Sequence, residues 1–150
     1  MMKKFVALLM VCLLVTGVAW AAAKGTAKEA EAMVKKAVAL YKSAGQDKAF
    51  AEFNNPKGKF VDRDLYIYAL SMKGTVLAHG ANKTLIGKDL YNLKDTAGKQ
   101  FLKEIIDVAK AKGKGTVDYK WTNPVSKKVE DKVVYFEKVG DVILVCGYYK

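Results

Sequence analysis

The sequence predicts an α+β domain: a five-stranded antiparallel sheet with a long N-terminal helix and a middle helix packed on it. Three observations lead there. Residues 27–44 repeat apolar side chains every three or four positions, the period of a helix face. The rest of the chain is dominated by short aromatic and β-branched runs that read as strands. Two connections, Lys73-Gly74 and Gly140-Asp141, are too short to join anything but antiparallel neighbours. A length of 150 residues fits one such domain.

The start of the chain stands apart. Lys3 and Lys4 precede an apolar run over residues 5–15 that continues to Trp20, and Ala19, Ala21, Ala22 and Ala23 follow as small residues. This is the three-part layout of a signal peptide over residues 1–23, with cleavage expected near residues 21–23. The alternative is an uncleaved anchor, although the apolar core is short against the ~20 residues of a membrane span. Cys12 follows Val11 inside that core, where no lipobox can form. Residues 24–150 are then the domain, placed in the periplasm or outside the cell. They keep a single cysteine, Cys146, in an apolar run where a buried small hydrophobe is expected and no intramolecular disulfide can form.

The charge of +11 falls to +9 once Lys3 and Lys4 leave. Nearly all of it is lysine, with Arg63 the only arginine, spread along the chain without a reading motif. Export and this dispersal argue against nucleic acid. A solvated basic surface that attracts small anions fits better.

The helix at 27–44 carries Ala30, Met33, Ala37, Leu40 and Ala44 on its stripe, widened by Val34 and Tyr41, and Gly45 ends it. Asp47 is expected to cap a short second helix bearing Phe50 and Phe53. Residues 54–58, Asn-Asn-Pro-Lys-Gly, form a turn signal. Residues 64–70 and 75–79 read as a strand hairpin, and 80–93 as a loop with a short helical turn. Asp95 is expected to cap the middle helix, whose face is Phe101, Leu102, Ile105, Ile106 and Ala109. The glycines at 113 and 115 stop it. Three strands follow, at 116–122, 129–139 and 142–149. The first alternates Val117, Tyr119 and Trp121 against Asp118 and Lys120.

The order and spacing of several phrases resemble single Cache domains. They are Asp64-Leu65-Tyr66-Ile67-Tyr68, Lys73-Gly74-Thr75-Val76-Leu77-Ala78-His79-Gly80, and the Asn82 to Leu90 loop. Residues 95–99, 115–124 and 132–138 and the ending Gly147-Tyr148-Tyr149 continue the match, so the likeness spans about residues 28–150. It implies a PAS-like fold and an extracytoplasmic sensor-type module that recognises small organic acids. No second apolar span follows, so a standalone relative is expected that does not signal across a membrane by itself.

The resemblance also implies a pocket between the sheet face and the loop after the second strand. The groups available there are Tyr66, Tyr68, His79, Tyr119, Trp121, Lys132 and Tyr135. A carboxylate needs a cation or several donors in an apolar wall, which phenols, indole, imidazole and ammonium supply. Each aromatic also has a plain packing role open to it, and His79 a structural one. Lys132 and Tyr135 are three apart, so a regular strand sends them to opposite faces and at most one reaches the pocket.

No metal site or cofactor is expected, because His79 is the only histidine and no CxxCH occurs. Ser71 and Ser126 lack a nucleophile motif, Asp62 and Asp64 beside Arg63 read as a solvated strand entry, and no phosphate-loop motif is complete. The expectation is therefore a binder of a small organic anion without catalysis. The alternative is an accessory subunit of a membrane sensor or transporter with a degenerate pocket.

Overall fold

A computed structural model describes residues 23–150, so the expectations for residues 1–22, Cys12 included, lie outside the described residues. Helix α1 (Ala27–Ala44) opens on a capping box: Glu29 N–H donates to Thr26 Oγ1 at 3.2 Å, and Thr26 N–H to the Glu29 carboxylate at 2.8 Å. Its buried stripe is Ala30, Met33, Val34 and Ala37. Helix α2 (Gln46–Phe53) follows at once. Gly45 is its N-cap, and Asp47 lies inside the first turn rather than capping it, because α1 and α2 share Gly45 as a hinge.

The sheet has six strands rather than five: β1 (Val61–Asp62), β2 (Leu65–Ser71), β3 (Val76–His79), β4 (Lys114–Thr122), β5 (Val129–Val139) and β6 (Val142–Tyr149). All pairings are antiparallel. β2 pairs β6, then β5, then β4, while β1 and β3 follow one another along the other edge of β2. The extra strand, β1, is two residues long and has no pattern to read. It is held by Arg63, which turns the chain at φ 56° before β2.

Helix α3 (Phe101–Lys112) begins later than Asp95. The Asp95 carboxylate instead accepts N–H groups from Ala97 (2.9 Å), Lys99 (2.8 Å) and, across the fold, Lys120 (2.9 Å). It ties a turn to β4 and is not a helix cap. At the far end, Gly113 closes α3 in the left-handed conformation, φ 77°, as a C-cap glycine should.

Strand alternation divides the interior in two. Ile67, Ala69, Leu144 and Cys146 face α1 and α2. Tyr66, Tyr68, Leu70, Val134, Phe136 and Val145 face α3 and the loop after β3. β2 and β6 are buried on both faces, which is why they read as unbroken apolar runs. Cys146 is buried; its burial pushes the thiol up to about 12, and its Sγ lies 3.7 Å from Met33 Sδ. No helix among the described residues is long and apolar enough to cross a membrane.

Candidate functional site

The α3 side of the sheet gathers six of the seven expected residues. β2 brings Tyr66 and Tyr68, β3 ends on His79, β4 brings Tyr119 and Trp121, and β5 brings Lys132. Tyr66, Tyr68, His79, Tyr119 and Trp121 all border one cavity, which Phe101 and Leu102 of α3 and Leu85 and Leu90 of the loop also line. Its free volume is about 20 Å³, room for one water-sized guest.

Tyr135 is not among them. It points to the opposite face, packs on the α1 side and donates its hydroxyl to Glu137 Oε1 at 2.6 Å. The three-residue offset from Lys132 on a regular strand puts it there.

Lys132 is the unusual member. It is 1% exposed, and among the described residues it forms no salt bridge. Its Nζ donates to Tyr66 Oη at 2.8 Å. Four tyrosine rings surround it, with centroids 4.2 Å (Tyr66), 5.0 Å (Tyr149), 5.7 Å (Tyr68) and 5.9 Å (Tyr119) away. Ring faces attract a cation, but they do not replace the several kcal/mol of hydration that a buried ion loses. Lys132 does not itself border the cavity. Tyr66 does, and it carries the influence of the ammonium to the wall.

His79 is 4% exposed. Its Nδ1 accepts the N–H groups of Ala81 (3.1 Å) and Asn82 (2.8 Å). Burial first, and then the Lys132 charge, lower its pKa from 6.5 to about 3, so the ring is neutral and carries its proton on Nε2. The ring stacks on Tyr68, with centroids 5.7 Å apart and planes 18° apart.

Counting protons shows what the site lacks. Tyr149 donates to Thr122 O at 3.0 Å. Tyr66 accepts from Lys132, and its own proton has only Tyr149 Oη, 3.5 Å away. Tyr68 and Tyr119 share one hydrogen bond of 3.1 Å, which leaves one of their two protons over. Burial holds the phenols of Tyr68, Tyr119 and Tyr149 well above the usual tyrosine range, so all stay protonated. His79 Nε2–H and the Trp121 indole N–H make no hydrogen bond among the described residues and are open to solvent, and the Lys132 ammonium makes one, to Tyr66. The site is rich in donors and short of acceptors.

Three participants escaped the sequence reading. Tyr149 stands opposite Lys132 in the β5–β6 register, and Tyr119 stands opposite it on the other side. Counting outward from the Gly140-Asp141 turn would have found Tyr149. Phe101 stacks on Tyr119 with centroids 4.0 Å apart and planes 11° apart, a contact between distant elements that leaves no mark in the sequence. Gly147 makes room for Lys132: a Cβ there would overlap the lysine Cε and come 2.7 Å from Val134 Cγ1.

Asp64 also departs from expectation. It is buried, not solvated, because its carboxylate accepts Gly25 N–H at 2.8 Å and Asn123 Nδ2 at 3.3 Å. It anchors the segment before α1 and is committed there rather than to Lys132.

Outside the cavity lies an open cleft of about 320 Å³ that shares Tyr66, His79 and Trp121 as its wall and continues to Asn82, Pro124 and Lys127. These three side chains are common to the wall of both spaces.

Known proteins share this family and fold. The family model described as Single Cache domain 2 matches residues 6–150. A methyl-accepting chemotaxis protein from Vibrio parahaemolyticus RIMD 2210633 is similar in structure, with 28% identity and a TM-score of 0.71 over 81% of this chain and 86% of that one. A Cache chemosensory domain described for carboxylic acid recognition has 25% identity and a TM-score of 0.65 over 81% and 86%. The periplasmic sensor domain of a chemotaxis protein shares the fold at 22% identity and a TM-score of 0.66 over 81% and 88%.

Proposed function

The chain belongs to the Single Cache domain 2 family, a family of extracytoplasmic ligand-sensing domains, and from that premise we propose that it binds a small organic acid through its carboxylate, without catalysis of its own. The observation that carries this reading is the donor excess. Lys132 is a buried cation with one neutral acceptor, and the phenols and imidazole around it have protons to give. A carboxylate offers acceptor positions and the missing negative charge together. It would meet Tyr66, whose hydroxyl Lys132 polarises, one of Tyr68 and Tyr119, and His79 Nε2–H. The similar domain described for carboxylic acid recognition supports the same ligand class.

The small volume bounds the ligand. A cavity of about 20 Å³ admits a carboxylate only if the wall gives way. Trp121, half-buried between cavity and cleft, is the side chain best placed to move. Export of the domain and removal of residues 1–23 belong to the same reading, and the N-terminal residue of the secreted protein tests them.

The experiment is a thermal-shift and calorimetric panel of formate, acetate, propionate, lactate and pyruvate, run on wild type and on Lys132→Met. A ligand that binds only the native state stabilises it by about 2.7 kcal/mol at a hundred times its Kd. Wild type should gain stability with at least one acid. Lys132→Met should keep or raise its ligand-free stability, since it removes a buried charge without an acid partner, and lose the gain from the ligand. Equal gains in both proteins would sink the assignment of Lys132. The tightness of the cavity favours one second reading, an accessory subunit with a degenerate pocket. That reading expects no shift with any acid and co-purification of a membrane sensor or transporter.

A further inference from the structure

At one end of the molecule the β4–β5 turn and the segment before α1 lie side by side. An open surface pocket of about 310 Å³ is bordered by Ala23, Lys24, Asp64, Asn123, Val125 and Ser126. Val125 and Val129 flank the turn and are 53% and 52% exposed, the large apolar side chains most open to solvent among the described residues. Between them stand Lys127 and Lys128, both exposed. Lys24 adds a third cation and donates to Lys150 O at 2.8 Å, which brings Lys150 to the same corner. The acids nearby are already engaged. Glu130 accepts from Asn123 (2.7 Å) and Ser126 (3.1 Å) and pairs with Lys24 at 3.4 Å, and Asp131 pairs with Lys120 at 2.6 Å.

The turn is braced so that its tip stays out. Asn123 Oδ1 accepts Val125 N–H at 2.8 Å, Asn123 N–H donates to Lys128 O at 2.8 Å, and Lys127 turns the chain at φ 63°. Immediately before Ala23, the sequence is the apolar run of residues 5–18 and the small residues after it. The most apolar stretch of the chain therefore joins the domain at the corner that bears the exposed valines and the lysines.

We propose that this corner is a membrane-contact surface, with Val125 and Val129 at the interface of an anionic bilayer and Lys127 and Lys128 over its headgroups. Val125 and Val129 are two small, separate apolar tips with Lys127 and Lys128 between them. They match a bilayer surface, where shallow apolar contact and attraction to anionic headgroups add together. The contact holds whether residues 1–23 are kept or removed, because the residues that make it are in the domain.

The test takes the protein as cells expressing the whole sequence deliver it. Hydrogen exchange is followed with vesicles of pure phosphatidylcholine and with vesicles containing phosphatidylglycerol. Amides of residues 125–130 should exchange more slowly on the anionic vesicles only, and the protection should fade in high salt. Val125→Ser with Val129→Ser should abolish it while acid binding at the cavity stays unchanged. Lys127→Ala with Lys128→Ala should weaken binding to anionic vesicles about tenfold or more, at roughly fivefold per lysine. A retained leader can hold all variants on any vesicle, but it cannot by itself protect this turn in a manner sensitive to lipid charge. Protection that is absent, equal on neutral lipid or unchanged in the serine variant would overturn the proposal, and absence on every vesicle would leave the corner to a protein partner.

Discussion

At the scale of single residues, His79 turns burial into a pH response. Its folded pKa, about 3, lies below the ordinary 6.5 because the ring is buried beside Lys132. Between those values the unfolded chain takes up a proton that the folded chain refuses. The contribution of His79 is therefore fully present above pH 6.5 and is lost as pH falls toward 3, with a slope of about 1.4 kcal/mol per unit. His79→Asn can keep an acceptor for the Ala81 and Asn82 amides and removes the titration. Thermal melts at pH 6.5 and 5.0, above the carboxylate range, should show a clear loss for wild type and a smaller one for the variant; equal losses would contradict the assignment. His79 stood out in the sequence as the only histidine and Tyr66 as one of a pair at strand spacing, and the structure brings both beside Lys132. What their chemistry amounts to was not legible. That Lys132 has no acid partner depends on where every carboxylate went, and Asp64, which lies close in sequence to Tyr66, went to Gly25 and Asn123.

At the scale of elements, the hairpins were the readable part. Gly140 with Asp141, and Lys73 with Gly74, announce tight turns, and each strand pair follows from them. Elements held by tertiary contacts were misread at their edges. Asp95 has the chemistry of a helix cap but found Lys120 N–H, and β1 exists because β2 offers a free edge to two residues. Gly147 belongs to this scale too, since it lets β6 run beneath the Lys132 side chain. Gly147→Ala should displace that side chain, cost about 1–3 kcal/mol by overpacking and lower acid affinity more than stability alone explains. Denaturant melts and calorimetry on the same variant separate the two effects. Affinity unchanged beside a large loss of stability would mean that the ammonium does not set binding.

At the scale of the whole molecule, the two interiors share strands. β2, β5 and β6 present one face to α1 and α2 and the other to α3 and the aromatic cavity. Neither half can lose its packing without stripping the back of the other, so unfolding should be a single transition. Trp121, the one tryptophan of residues 24–150, reports the cavity side, and far-UV circular dichroism reports the helices, of which α1 dominates the opposite side. Their denaturant midpoints should coincide; midpoints that differ would show two separable layers. The α+β class and the antiparallel sheet were visible in the sequence because β4 carries a clear alternation, β2 and β6 read as apolar runs, and tight turns separate the hairpin strands. The cavity was not, since its wall depends on Phe101, Leu85 and Leu90 arriving from segments with no shared pattern.

The narrowness of the space beside Tyr66, His79 and Trp121, about 20 Å³, also has a consequence in time. A guest larger than water can enter only while the wall is displaced, so the observed affinity is the intrinsic affinity scaled by the fraction of molecules open at any instant. At high acid concentration the rate of capture should cease to rise with concentration and level off at the rate of opening. If the guest is the proposed acid, such a domain would answer slowly to a brief pulse of it and average over its fluctuations, and a substitution that loosens Trp121 would quicken the response and raise the observed affinity together.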